Sequence, residues 1–220
     1  MPLILGAQSA ISAGYSIDNS CRFNENDDAK LVRTQTAGDR TKWTLSMWIK
    51  NGRLSASGQT RIFAFGGDAD DPGFLVGGFM FPNRVNSYNY LGSATLGHLQ
   101  TSKLYNDQAA WYHLVLVWDT GAAAANRMRL YTNGVEETAF AIDANPALNQ
   151  VGTVNDSGHS FVIGATGFNT TYNFDGYIAE AILCDGQAYG PTDFGEFNSD
   201  SPTTWQPIDP SGLTFCTNGF

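Results

Sequence analysis

Alternation of apolar and polar residues with a period of two dominates the chain from residue 20 onward and predicts β-strands. The clearest case is the segment 43–50, in which one face carries only apolar side chains: Trp43, Leu45, Met47 and Ile49. The opposite face is polar except for Trp48. We therefore expect this strand to be covered completely on one side and partly on the other.

A second segment, 111–118, is apolar on both faces, which predicts a central strand buried from two sides. Asn133-Gly134, between strands predicted at 128–132 and 135–139, is the strongest short hairpin signal in the chain. Pro191 opens the only predicted helix, of one or two turns. Further strands are predicted at 61–66, 73–81, 88–91, 94–99, 160–164, 177–183 and 213–220. Because the last strand reaches the final residue, we expect the chain to be part of a longer protein.

The composition supports an all-β fold and excludes two classes of binding partner. The chain has 220 residues, of which 42% are hydrophobic and only 15% charged, and it contains 24 glycines. These values favour an all-β fold, a two-sheet antiparallel β-sandwich over residues 17–220 with an N-terminal arm at 1–16. The net charge of −9 and the scattered Lys and Arg residues argue against nucleic acid or an anionic membrane surface as partner.

The N-terminus lacks the positive region and the long apolar run of a signal peptide, and no stretch has transmembrane length. The sequence therefore predicts synthesis in a cytoplasm. Leu3, Ile4 and Leu5 have no obvious place in the sandwich. They predict an arm that docks on a partner, and the alternative is a disordered terminus.

The three cysteines, Cys21, Cys184 and Cys216, have neither zinc-site spacing nor the density of a disulfide scaffold. We expect buried or half-buried free thiols. A Cys21–Cys216 disulfide remains open if the terminal strands lie side by side.

Four segments in order, 43–50, 110–119, 128–137 and 174–188, resemble the laminin G-like, concanavalin A-like jelly roll. The resemblance implies that the first two strands pack in one sheet and that the last crosses the other sheet. It also implies a structural role for His113.

The two ends, 1–24 and 194–220, resemble laminin G-like proteins encoded by tailed bacteriophages, marine ones in particular. This resemblance implies a virion component, specifically a tail fibre or receptor-binding module that contacts host surface glycan. The alternative is a capsid-attached decoration or appendage protein with a purely structural, protein–protein role. Either would associate with other virion proteins, and we expect a homo-oligomer, preferably a trimer.

A glycan-degrading enzyme is the third and most distant reading. Retaining hydrolysis needs two carboxylates about 5–5.5 Å apart, hence acids closely spaced on one strand face. No such spacing occurs, and Glu180 is the only acid in its predicted strand. We therefore expect no catalytic residues.

An acidic loop is the one candidate metal site. Asp68, Asp70 and Asp71 cluster between Gly67 and Pro72, and Ca²⁺ prefers clustered oxygen ligands. The alternative is a solvated acidic turn.

Aromatic residues in polar surroundings are the candidate ligand-binding residues. Tyr88 and Tyr90 lie in a polar hairpin, and Phe168, Tyr172 and Phe174 lie in a loop rich in Gly, Asn and Thr. Such rings can stack on sugars through their apolar faces. They can equally cap the sandwich edge or pack on a neighbouring subunit.

Overall fold

The computed structural model describes residues 14–54, 59–66, 73–80, 83–91, 94–166 and 172–220, with only the backbone of 73–76 and 79–80. Two large antiparallel sheets, of six and seven strands, and a small hairpin make up the fold. The predicted all-β sandwich is therefore confirmed.

The six-stranded sheet consists, in spatial order, of β1 (Cys21–Phe23), β13 (Gly176–Asp185), β3 (Lys42–Asn51), β8 (Tyr112–Asp119), β9 (Met128–Thr132) and β10 (Val135–Glu136).

The seven-stranded sheet consists of β11 (Phe140–Ala144), β7 (Ala94–Thr101), β6 (Arg84–Leu91), β5 (Gly73–Met80), β4 (Gln59–Gly66), β12 (Ser160–Ile163) and β2 (Leu31–Thr34). The hairpin pairs β14 (Gly195–Phe197) with β15 (Trp205–Pro207). In the described part of the chain, four single 3₁₀ turns occur, at Glu25–Asp27, Ala124–Asn126, Pro191–Asp193 and Pro210–Gly212. Only the turn at Pro191 was predicted.

Two predictions about strands are wrong. The strand from residue 176 lies in the same sheet as β3, pairing Ile178 with Ile49, and does not cross the other sheet. The expected strand at 213–220 is absent, because the chain there forms turns, with Cys216 at a φ of 54°. Two residues of this segment still bond to the backbone of β13: Phe220 exchanges a reciprocal pair of 3.0 Å with Leu183, and the Phe215 carbonyl accepts from the Asp185 N–H at 3.3 Å.

The main core lies between the two large sheets. The predicted inward face of β3 is buried in it, and the Trp43 and Trp118 rings stack 6.0 Å apart. From the seven-stranded sheet, Phe63 and Phe161 stack at 6.1 Å. Burial of these large rings supplies the main apolar stabilisation of the sandwich.

A second core lies on the outer face of the six-stranded sheet, beneath a C-terminal layer formed by residues 187–215. Val115, Val117 and Ile182 of the sheet pack there against Phe194 of the layer. This layer explains why the segment 111–118 is apolar on both faces.

The β9–β10 hairpin turns at Asn133-Gly134, as predicted. Both residues have positive φ, 48° and 79°, which fits a type I′ turn. A Cβ atom on Gly134 would lie 2.2 Å from the Trp205 ring, so the C-terminal layer also requires glycine here.

His113 connects the six-stranded sheet to the C-terminal layer. The Trp205 indole N–H, which can only donate, binds His113 Nδ1 at 2.9 Å. The ring proton therefore lies on Nε2, which donates to the Ser46 hydroxyl at 2.8 Å. The imidazole also stacks on Trp48 at 4.8 Å. Burial lowers the pKa of His113 to about 3, so the structural role expected of this residue is that of a neutral ring.

Asp185, at the end of β13, is a buried carboxylate that the sequence analysis did not identify. It accepts hydrogen bonds from the backbone N–H of Asp39, the side-chain amide of Asn155 and the backbone N–H of Asn218, at 2.8, 2.8 and 3.2 Å. It thus joins the start of β3, a connecting loop and the C-terminal segment.

The cysteines are all free: Cys184 is buried, whereas Cys21 and Cys216 are exposed. The expected free thiols are thus present, although two of them are more exposed than expected. No helix among the described residues is long and apolar enough to cross a membrane.

His113 predicts a loss of stability in acid. Its pKa falls from an ordinary value of 6.5 to about 3 on folding, so between these values only the unfolded chain binds a proton. The stability from this residue is complete above pH 6.5 and decreases towards pH 3, by about 1.4 kcal/mol per pH unit. Between pH 7 and pH 5, the free energy of unfolding should therefore fall by about 2 kcal/mol more in the wild type than in His113→Gln, measured by urea denaturation. If the free energy of unfolding falls equally with pH in both proteins, the lowered pKa of His113 is contradicted. A constant difference in stability between the two proteins does not affect this test.

Asp185→Asn should destabilise the domain strongly. The substitution removes the charge from a buried acceptor and turns an NH₂ group towards N–H donors. We expect a loss of about 3 kcal/mol in urea denaturation. The matched variant Asp200→Asn, in an exposed turn, should stay within about 0.5 kcal/mol of wild type. Equal effects of the two substitutions would rule out the proposed role of Asp185.

Candidate functional site

The outer face of the seven-stranded sheet carries polar and aromatic side chains. On β6, Val85 belongs to the main core, and strand alternation therefore places Asn86, Tyr88 and Tyr90 on the outer face. Tyr88 pairs with His98 of β7 across the strands, and their rings lie 5.3 Å apart.

Arg61 of β4 is the centre of this face. Its guanidinium carbon lies 5.8 Å from the ring centroids of both Tyr88 and Tyr172, within cation–π distance. Only 5% of the residue is exposed. Burial lowers the pKa of Arg61 and the nearby Tyr88 hydroxyl opposes this shift, but a guanidinium remains charged.

The backbone explains how Arg61 reaches this position. The pairing of β4 with β5 shifts register between Arg61 and Phe63, and such bulges redirect side chains. Opposite Arg61, a Cβ atom on Gly78 would lie 1.8 Å from the Thr60 carbonyl oxygen, so only glycine fits. The Arg61 N–H donates to the Tyr172 carbonyl at 2.7 Å, which fixes the loop that carries this tyrosine.

Arg61 Nε and Asn86 Nδ2 on this face are buried donors that find no acceptor among the described residues. The amide oxygen of Asn86 is already occupied, since His98 Nε2 lies 2.6 Å from it. Burial lowers the pKa of His98, so its imidazole is neutral at pH 7. Buried donors normally find partners, so these two are exceptions among the described residues.

The guanidinium of Arg61 faces two tyrosine rings and the Tyr88 hydroxyl rather than a carboxylate of the described residues. The ion pairs formed by the described residues do not include it. A buried cation is costly unless an anion or hydrogen-bond acceptors balance it. This face is therefore suited to a ligand that supplies acceptor oxygens or negative charge.

The structure brings together two of the predicted ligand-binding residues, Tyr88 and Tyr172, around Arg61. Tyr90 lies on the same face of β6, two residues further on, and is half-buried. Phe168 lies outside the described residues. Phe174, expected as a loop aromatic, is fully buried in the main core beside Phe23.

Arg61, Asn86 and His98 were not identified from the sequence. The available signal was a single arginine within an otherwise apolar strand, TRIFAFG, at 60–66. Alternation alone cannot show whether such a residue faces solvent or a built site, because the bulge at Arg61 changes the face.

Acidic residues are sparse in this sheet. Asp143, in the edge strand β11, is the only acid within the bounds of its seven strands. Within the described part of the chain, no three His, Cys, Asp or Glu side chains group as metal ligands. Asp68, Asp70 and Asp71, the predicted calcium ligands, and Leu3, Ile4 and Leu5 of the predicted arm lie outside the described residues.

Comparison with known protein families gives a match over residues 23–186 to the family model of the concanavalin A-like lectin/glucanases superfamily. A search of curated proteins found no match to this chain.

Solved structures share the fold at low sequence identity. The heptameric SAP-like pentraxin from Limulus polyphemus is 17% identical, with a TM-score of 0.51 over 80% of this chain and 76% of its own. Domains LG4-5 of the mouse laminin α1 chain are 13% identical, with a TM-score of 0.54 over 90% of this chain and 48% of theirs. Tailspike protein 2 of an Escherichia coli O157:H7 bacteriophage is 18% identical, with a TM-score of 0.53 over 86% of this chain and 25% of its own.

Proposed function

Because this chain belongs to the concanavalin A-like lectin/glucanases superfamily, we propose that it is a non-catalytic glycan-binding module of a phage virion protein, a tail fibre or receptor-binding module. The observation that supports this proposal most directly is the buried guanidinium of Arg61. It lies between two tyrosine rings and has no acidic partner among the described residues. The ligand is a host surface glycan that contains an acidic sugar.

The geometry supports each part of this recognition. The rings of Tyr88 and Tyr172 offer apolar faces for sugar rings. The carboxylate of an acidic sugar would balance the charge of Arg61, whose guanidinium lies between the two rings. Charge-assisted hydrogen bonds of this kind are about twice as strong as neutral ones.

The virion assignment is supported by two observations of different kinds. The chain ends resemble phage-encoded laminin G-like proteins, and the tailspike of an Escherichia coli bacteriophage contains the same fold over a quarter of its length. In such a protein the module would associate with other virion proteins as a homo-oligomer, for which a trimer is our expectation.

Calcium at Asp68, Asp70 and Asp71 belongs to the same proposal. A glycan array with the purified domain, in calcium and again in EDTA, tests both parts. Retention of bacterial polysaccharides supports receptor recognition, and its loss in EDTA supports the calcium site. A folded domain that is silent on a broad array would reject glycan binding and favour the decoration or appendage role.

Arg61→Gln should weaken binding of acidic glycans selectively. Loss of a charge-assisted hydrogen bond of about 1.5–3 kcal/mol corresponds to a roughly 10- to 100-fold rise in Kd. The Kd of Arg61→Lys, which keeps the charge, should lie between the Kd of the wild type and that of Arg61→Gln. The assay is calorimetric titration with the acidic glycans retained on the array, at low and high salt.

The matched control is Arg129→Gln. Arg129 also lies over a tyrosine, Tyr131 at 5.7 Å, but in the six-stranded sheet. Its loss should leave glycan affinity unchanged. If Arg61→Gln folds and binds acidic glycans as tightly as wild type does, Arg61 does not recognise the ligand.

A further inference from the structure

A groove of about 440 Å³ lies beside the C-terminal layer on the outer face of the six-stranded sheet. Trp48 and Ala179, which pair directly across β3 and β13, line it from the sheet. Pro207 of the hairpin, Trp111 and all six residues of the segment 15–20 complete the lining. The groove is therefore a part of the outer face that the C-terminal layer leaves uncovered.

Large aromatic side chains at this groove are exposed to solvent. Tyr15 and Trp111, which line it, are 41% and 37% exposed. Tyr177, whose ring lies 6.5 Å from that of Trp111, is 40% exposed. The half-buried Ile17 adds an aliphatic side chain to the lining. Clustered apolar side chains at the surface of a folded protein indicate a contact with another chain.

The charges at the groove restrict what can cover it. Asp18 is the only charged residue among the described residues of the lining. Glu180 lies close by, where its carboxylate accepts a hydrogen bond from the Tyr15 hydroxyl at 2.6 Å. The chain as a whole has a net charge of −9, so much of the surface of a second copy would be repelled by these acids. An uncharged apolar segment avoids this repulsion.

The N-terminal segment has these properties, and it is attached beside the groove. Residues 1–17 contain no charged side chain and include the apolar run 3–5. The described chain starts at Gly14, next to Tyr15 of the groove lining. Between them, residues 7–13 contain no Gly, Pro, Asn or Asp, the residues that most favour turns.

The length of this connection favours the groove of another copy. Nine residues, 6–14, join the apolar run 3–5 to the groove lining, and nine extended residues span about 30 Å. The segment 15–20, which lines the groove, spans at most about 20 Å. An extended arm that turned back at Gly14 would therefore carry residues 3–5 past the end of its own groove. The same arm directed away from the fold reaches a neighbouring molecule.

We propose that Leu3, Ile4 and Leu5 of one molecule occupy this groove in a second copy of the chain. Their aliphatic side chains would pack against the exposed ring of Trp111 and remove apolar surface of both molecules from water. Because arm and groove are different parts of the surface, each molecule can insert its arm into one neighbour and accept the arm of another. Such head-to-tail contacts close into a ring when the rotation between copies permits it. The contact does not involve the Arg61 face, so it is independent of glycan binding.

Sedimentation velocity of the full chain over a range of protein concentrations tests this exchange. The wild type should associate reversibly. The arm variant Leu3→Ser/Ile4→Ser/Leu5→Ser and the groove variant Trp111→Ala should each raise the dissociation constant more than about 10-fold. Phe197→Ala is the matched control, because this ring of β14 is 45% exposed but does not line the groove. It should associate as the wild type does.

A mixture of the two variants distinguishes exchange between copies from other arrangements. The arm variant keeps an intact groove and Trp111→Ala keeps an intact arm, so one arm-in-groove contact can form between them. Native mass spectrometry of an equimolar mixture should therefore detect a heterodimer at a concentration where each variant alone is monomeric.

A wild-type chain that is monomeric at every concentration would overturn the proposal. If both variants of such a monomer lost the same thermal stability, the arm would lie in its own groove, which also rejects exchange. Association that survives both changes would assign the contact to another face, and a mixture without heterodimer would show that arm and groove do not meet. Circular dichroism checks the folding of each variant, and Ile17→Ser replaces Trp111→Ala as the groove variant if the latter does not fold.

Discussion

The buried carboxylate of Asp185 is the interaction on which the arrangement of layers depends. It holds the entry to β3, the loop of Asn155 and the C-terminal segment at Asn218 in one place. Without the C-terminal segment, the apolar outer face of β8 and β13 would be exposed to water. This charged group therefore contributes, together with the second core and the bond from Trp205 to His113, to covering the outer face of the six-stranded sheet. Because all its partners are N–H donors, its charge is used in structure rather than offered to a ligand.

The covering also determines which part of the six-stranded sheet is exposed. The C-terminal layer occupies most of the outer face of the six-stranded sheet and leaves the groove at Trp48 and Trp111 beside it. The seven-stranded sheet has no such layer over the described residues around Arg61.

Much of the fold follows from local pattern, but the sites do not. Period-two alternation identifies β3, and apolar residues on both faces identify β8 as doubly covered. Alternation contains no information about which strands become neighbours, so the sheet of β13 was assigned wrongly. Apolar content alone suggested a strand at 213–220, where turns let Leu213 and Phe215 cover the second core. Arg61 and Glu180 owe their positions to register shifts in pairing with distant strands, and these are not encoded in the residues beside them.

The pairing of β3 with β13 has a consequence for synthesis. Trp48 is opposite Ala179, and β1 pairs with the same late strand. A ribosome must therefore release the chain to beyond Asp185 before β13 and β1 can join the six-stranded sheet. Until then, β3 and β8 have apolar faces without partners, and long-range pairing of this kind is slow. Nascent chains at high concentration would face competition between folding and aggregation, and expression at low temperature or with chaperones should favour the native sandwich.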